Sequence, residues 1–119
     1  MTETRMRRFV GAKIHEIRVT GKSVRYVGSV SICPRLMDAA GIEPFEEVQV
    51  VNLNNGERWY TYALAGRPGE FLLNGGGARL GEIEDHCVVM TYISAPEFPG
   101  ANVIFCDANN EIMERLRYG

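Results

Sequence analysis

The sequence is poor in the features that most readily assign a role. It has three cysteines, Cys33, Cys87 and Cys106, odd in number and far apart. There is no Cys-x-x-Cys pair and no metal-ligand spacing, so neither a disulfide framework nor a metal site is expected. No apolar run approaches the length of a membrane span, and no apolar segment follows Met1 as it would in a secretory leader. Charge of one sign is lacking too. The 13 Lys and Arg against 15 Asp and Glu leave a formal net charge of −2. That balance supplies no basic field for nucleic acid and no acidic tail. These absences point to a cytoplasmic protein with reduced thiols, bound neither to membrane nor to nucleic acid. The three arginines near the start, Arg5, Arg7 and Arg8, read as a solvated, loose arm within Met1–Arg8.

What is present suits one globular domain spanning residues 1–119. Hydrophobic residues make up 45% and charged residues 24%, enough for a working core without metals or disulfides. Val10–Thr20 predicts a strand, with β-branched Ile14, Ile17 and Val19 set among charged residues. After a turn at Gly21-Lys22, Val24, Tyr26, Gly28, Val30 and Ile32 alternate with Ser23, Arg25, Val27, Ser29 and Ser31. That alternation predicts one half-buried strand, with Ser29 opposite the mostly apolar face. Pro34–Ala40 predicts a short helix, with Pro in its first turn and Gly41 as its stop. Val48–Leu53 and Arg58–Leu64 flank the hairpin signal Asn54-Asn55-Gly56. Phe71–Leu73, Cys87–Ile93 and Val103–Cys106 complete the strands. Asn74–Gly77 reads as a loop and Glu111–Leu116 as a short terminal helix. About seven strands with turns every ten residues or so predict a small barrel or sandwich.

Several short constellations could carry chemistry. A glycine inside a strand marks a bulge or a close approach of backbone or ligand. In Gly28-Ser29 the glycine also precedes a hydroxyl that could attack its carbonyl if the backbone is strained. Arg58 and Tyr62 share a strand face, which would suit a carboxylate clamp and a proton donor. An arginine beside an aromatic is also common in any barrel, and locally that is the simpler reading. Lys13 and His15, two apart on the first strand, could set the charge of a site or simply line a solvated face. Gly75, Gly76 and Gly77 offer bare N–H groups to an anion or oxyanion. With no Lys-Ser/Thr following, they do not form a phosphate loop of the P-loop kind. His86 reads as a surface or strand-end histidine, and the cysteines as small core residues.

Taken in order, these pieces resemble the pyruvoyl-dependent aspartate 1-decarboxylase family. The resemblance runs from about Met6 to Asn110. It rests on Lys13-Ile14-His15, Val19-Thr20, Tyr26-Val27-Gly28-Ser29-Val30, Leu36-Met37-Asp38-Ala39-Ala40-Gly41, Asn55-Gly56 with Arg58, Thr61-Tyr62-Ala63 and Asn74-Gly75. It implies a mainly β fold, a six- to seven-stranded double-psi β-barrel with short helices. It also implies a homotetramer with active sites between subunits, acting on a small amino acid, with room for a maturation factor. By resemblance, the chain cleaves itself between Gly28 and Ser29. Ser29 then becomes a pyruvoyl group, and neither a metal nor pyridoxal phosphate is needed. Such a group forms a Schiff base with a substrate amine and draws electrons as CO₂ leaves. The family pattern assigns the oxyanion of cleavage to Thr61, proton donation to Tyr62 and the substrate carboxylate to Arg58. It sets Lys13 and His15 near the pocket, and Asn74, Gly75, Gly76 and Gly77 against the substrate.

The implied activity is conversion of L-aspartate to β-alanine and CO₂ for pantothenate, and hence coenzyme A, synthesis. The family usually has alanine where Gly76 and Gly77 stand. Loss of two methyl groups is expected to widen that wall, which opens the alternative of the same chemistry on another amino acid. The alternative from a different class is a barrel that does not cleave and serves as a binding or assembly module.

Overall fold

In the computed structural model, which describes residues 4–119, nine strands, one α-helix and one 3₁₀ helix form a mainly β, barrel-like fold. In chain order the strands are β1 (Arg7–Arg18), β2 (Gly21–Ser23), β3 (Ser29–Ile32), β4 (Glu47–Asn52), β5 (Arg58–Ala65), β6 (Phe71–Asn74), β7 (His86–Ala95), β8 (Ala101–Cys106) and β9 (Ile112–Tyr118). The helix α1 is Pro34–Ala40, and Gly75–Arg79 is the 3₁₀ helix. The ladder runs β2-β6-β3-β5-β4-β7-β1-β8-β9 without closing. Three of its pairs are parallel crossovers that a simple meander lacks, β1 with β8, β2 with β6 and β3 with β5.

The core is where the sequence pattern put it. Ile14, Ile17, Val30, Ile32, Leu36, Val50, Phe71, Leu73, Val89 and Ile104 are all buried, and each such side chain contributes roughly 1.5–3 kcal/mol. Cys33, Cys87 and Cys106 are buried and unpaired. Burial pushes the Cys87 and Cys106 thiols up to about 12. Helix α1 has the bounds its sequence predicts. Pro34 opens it, Leu36, Met37 and Ala40 face the core, and Gly41 at φ +80° bonds back to the Met37 carbonyl. That left-handed cap is one that glycine adopts without strain.

Three expectations fail for physical reasons. The strand read over Val24–Ile32 holds only from Ser29. Val24, Tyr26 and Val27 are exposed, and the Tyr26 N–H turns back to the Ser23 carbonyl at 3.4 Å. Ser29–Ile32 pairs with β6, and Val30–Ile32 with β5 as well; all four residues of the strand are buried and Ser29 does not face away from the core. Glu111–Leu116 is not helical. Its residues favour helix locally, but Ile112–Tyr118 pairs antiparallel with β8 and caps that edge, an instance of tertiary context overriding propensity. With the three-residue β2, this raises the strand count from six or seven to nine. The loose arm expected over Met1–Arg8 gives way to β1 at Arg7. Residues 1–3 lie outside the described part.

Candidate active site at the start of strand β3

Strand β3 begins at Ser29, between β5 on one side and β6 on the other. Its antiparallel register sets Ser29 opposite Asn74, the last residue of β6. Ser29 is 2% exposed and Asn74 4%. The Ser29 hydroxyl donates to the Val27 carbonyl at 3.2 Å and accepts from Asn74 Nδ2 at 3.0 Å. The same Asn74 nitrogen donates to Ser31 Oγ at 3.1 Å. Nucleophile candidate and amide are thus held in a small polar cluster inside an apolar barrel, where such groups need partners.

The residue after Asn74 presses on the other half of the bond. Gly75 has φ +67°, and a β-carbon there would lie 2.6 Å from Gly28 Cα, 2.9 Å from Gly28 N and 3.2 Å from the Tyr26 carbonyl oxygen. No side chain fits between them. The turn into the 3₁₀ helix therefore brings bare backbone against Gly28, the close approach that a glycine permits. Gly28 itself has open space where its side chain would be.

Strand β5 carries the next three candidates. Its parallel register with β3 pairs Val30 with Ala63. Thr61 and Tyr62 directly precede Ala63 on β5, as Gly28 and Ser29 precede Val30. Strand alternation turns Arg58, Tyr60 and Tyr62 to one face and Trp59, Thr61 and Ala63 to the other. Arg58 is exposed and joins no ion pair among the described residues, so its guanidinium is available to a ligand carboxylate. Tyr62 is half-buried and stacks on Phe45 with ring centroids 6.2 Å apart. Trp59 packs against the core.

Gly76 and Gly77 differ from each other. Nothing lies within 4 Å of a β-carbon built on Gly76, whereas one on Gly77 would meet Trp59 Nε1 at 2.8 Å. A methyl group at 76 would thus meet open space. At 77 the indole takes up the space.

The structure does not bring Lys13 and His15 to this cluster. Strands β7, β4 and β5 lie between β1 and β3 in the ladder. Lys13 Nζ sits 5.6 Å over the Tyr118 ring, and His15 stacks on Phe105 at 4.9 Å. Burial, with help from the Lys13 charge and against that of Glu16, lowers the His15 pKa. Its Nε2 is buried without a partner. His86 starts β7 as its sequence position implied, with Nδ1 3.0 Å from the Glu16 carboxylate.

Two residues of the cluster are invisible to motif reading, Ser31 and Trp59. The period-2 alternation from Ser29 could have flagged Ser31. Nothing local flags Trp59, whose role depends on the fold bringing it to Gly77.

A family model described as aspartate decarboxylase matches residues 5–113. The chain belongs to the aspartate decarboxylase family. The aspartate 1-decarboxylase of Acaryochloris marina is 45% identical over 114 residues, covering 91% of this chain and 87% of that protein. That of Neisseria meningitidis is 42% identical over 118 residues, 94% and 93% of the two chains. That of Pyrobaculum islandicum is 48% identical over 81 residues, 68% of each. For a member of the aspartate decarboxylase family, the matched span includes the whole Ser29 cluster, Arg58–Tyr62 and the glycine run. Among the described residues, no group of three or more His, Cys, Asp or Glu is placed to hold a metal ion. No helix is long and apolar enough to cross a membrane.

Proposed function

We propose that this chain is a self-processing decarboxylase that converts L-aspartate to β-alanine and CO₂, the reaction that feeds pantothenate synthesis. The observation that carries this reading is the Gly28-Ser29 bond held between the Asn74 amide and the bare backbone of Gly75. In the processing step Ser29 Oγ attacks the Gly28 carbonyl carbon. The new C–O bond replaces the Gly28–Ser29 C–N bond, and the hydroxyl proton passes to the freed nitrogen. Loss of the Ser29 Cα proton then breaks the Cβ–Oγ bond and releases Gly28 as a carboxylate. One water is taken up and ammonia leaves, so that a pyruvoyl group remains at position 29 and no oxidant is consumed. Asn74 Nδ2 is placed to support charge on Oγ, and Thr61, by the family pattern, is the donor for the carbonyl oxyanion.

The residues fit that group. Ser29 is buried, its hydroxyl is hydrogen-bonded, and Gly75 leaves Gly28 free of side-chain crowding on that side. When formed, such a group supplies an electron-withdrawing carbonyl that takes up the substrate amine. Arg58 holds the carboxylate that is kept, with the geometric advantage of a guanidinium fork. Tyr62 returns the proton, and the Gly75–Gly77 backbone seats the substrate. Lys13 and His15 reach a site of this kind only from a neighbouring subunit, in keeping with a homotetramer whose sites lie between subunits. The exposed Tyr26, Val27, Phe45 and Tyr60 around the cluster support such contacts. Buried, unpaired thiols fit a cytoplasmic setting.

The intact mass of the purified protein, with β-alanine formation from aspartate, tests this reading. Two chains divided at 28/29, and product, are expected. A single chain after prolonged warming, without product, overturns it and leaves the non-cleaving binding module. Light scattering tests the tetramer. The open space at Gly76 favours one variant, the same chemistry on a larger amino acid. Parallel turnover of glutamate and aspartate decides it, and clear preference for aspartate removes it.

A further inference from the structure

We infer that Ser31 is a positioning residue for self-cleavage, acting on Ser29 through Asn74. The inference rests on the self-processing reading above. An asparagine amide nitrogen has two N–H groups, and here both are spent on hydroxyls two residues apart on β3. One goes to Ser29 Oγ at 3.0 Å, the other to Ser31 Oγ at 3.1 Å. Ser29 in turn donates its proton to the Val27 carbonyl. The orientation of the nucleophile is therefore set at both ends, by a backbone acceptor and by an amide that is itself held at two points.

The terminal torsion of asparagine is broad and roughly two-fold. A single hydrogen bond to Ser29 would leave the amide plane loosely defined. The second bond, to Ser31, fixes that plane and aims the remaining N–H at Ser29 Oγ. Strand geometry makes the two-point hold possible, because residues 29 and 31 share one face and Asn74 stands opposite 29 in the antiparallel register. Ser31 is only 8% exposed, and it borders a cavity of about 440 Å³ with Tyr26, Arg67, Glu70 and Asn74. It is not a neighbour of the scissile bond, so its influence runs through the amide.

The test follows the uncleaved fraction over time by intact mass in full-length wild type, Ser31→Ala, Ser31→Thr, Asn74→Ala and the double alanine variant. Loss of one neutral hydrogen bond to the amide predicts cleavage about fivefold slower in Ser31→Ala. Ser31→Thr, which keeps the hydroxyl, cleaves within about twofold of wild type on the same scale. On the Asn74→Ala background, Ser31→Ala costs nothing further, the non-additivity of two residues acting as one unit. Wild-type cleavage with an unchanged rate in Ser31→Ala overturns the inference alone. So does an Ser31→Ala effect that persists undiminished without Asn74, which would mark a packing role. A wild-type chain that never cleaves overturns the self-processing reading, and this inference with it.

Discussion

Trp59 Nε1 lies 2.8 Å from the point that a β-carbon on Gly77 would occupy, while the corresponding point on the neighbouring Gly76 is open. One glycine of the run is thus backed by an indole and the other by space. Gly77→Ala must push a core-packed side chain, at a cost of about 1–3 kcal/mol. Gly76→Ala meets no atom within 4 Å and has no left-handed φ, so it is expected to be neutral or stabilising by about 0.4–1 kcal/mol. Urea denaturation midpoints of the two variants settle the contrast. Equal midpoints would show that Trp59 yields freely. Trp59→Phe should recover part of the Gly77→Ala loss.

Gly75→Ala is the harsher change. It puts a β-carbon 2.6 Å from Gly28 Cα at a residue with φ +67°. The left-handed conformation alone costs a non-glycine residue about 1–2 kcal/mol, and the clash adds to it. Both a lower melting temperature and slower appearance of the cleaved chains are expected. Wild-type values of both would contradict the close approach.

Ser29→Ala removes the attacking oxygen and should leave one chain of unaltered mass indefinitely. Arg58→Ala should behave differently, because Arg58 is exposed and forms no ion pair among the described residues. Cleavage should proceed normally, while KM for aspartate rises at least about tenfold from the loss of a charge-assisted hydrogen bond. An unchanged KM would remove Arg58 from the carboxylate role.

His15 predicts a pH dependence of stability. Its pKa in the folded chain is lowered, first by burial and then by Lys13. The unfolded chain therefore takes up this proton first as pH falls below the ordinary value of 6.5. Stability from this residue is complete above 6.5 and declines as pH drops towards the lowered folded value. His15→Gln should flatten the fall in melting temperature as pH drops below about 6.5. A wild-type slope in the variant would assign the effect to other groups.

The thiols offer a further check. Cys87 and Cys106 have pKa values pushed up to about 12 by burial, and the thiolate is the reactive form. Peptide mapping after iodoacetamide treatment at pH 8 should find neither one alkylated in the native protein and both alkylated in denaturant.

Most of the architecture was legible residue by residue. Proline at 34, glycine at 41 and the apolar side between them specify α1, because helix ends are local chemistry. The Asn54-Asn55-Gly56 signal and its flanking alternation specify β4 and β5 for the same reason. The ends of the reading that failed are places where neighbours in space outvote neighbours in sequence. Ile112–Tyr118 becomes a strand because β8 has a free edge. Val24–Val27 leaves the strand because only residues from 29 onward find strand partners there.

The sequence alone also determined which side chains were candidates, since Gly28-Ser29, Arg58, Thr61-Tyr62 and Asn74-Gly75 stand in family order. Tertiary structure decided how they act together. It set Asn74 against Ser29, recruited Ser31 to the same amide, pressed Gly75 onto Gly28, filled the space at Gly77 with Trp59 and left Lys13 and His15 on a distant strand. None of these follows from spacing along the chain, because each depends on the order and register in which the strands pair. Register is fixed by burial summed over the whole barrel.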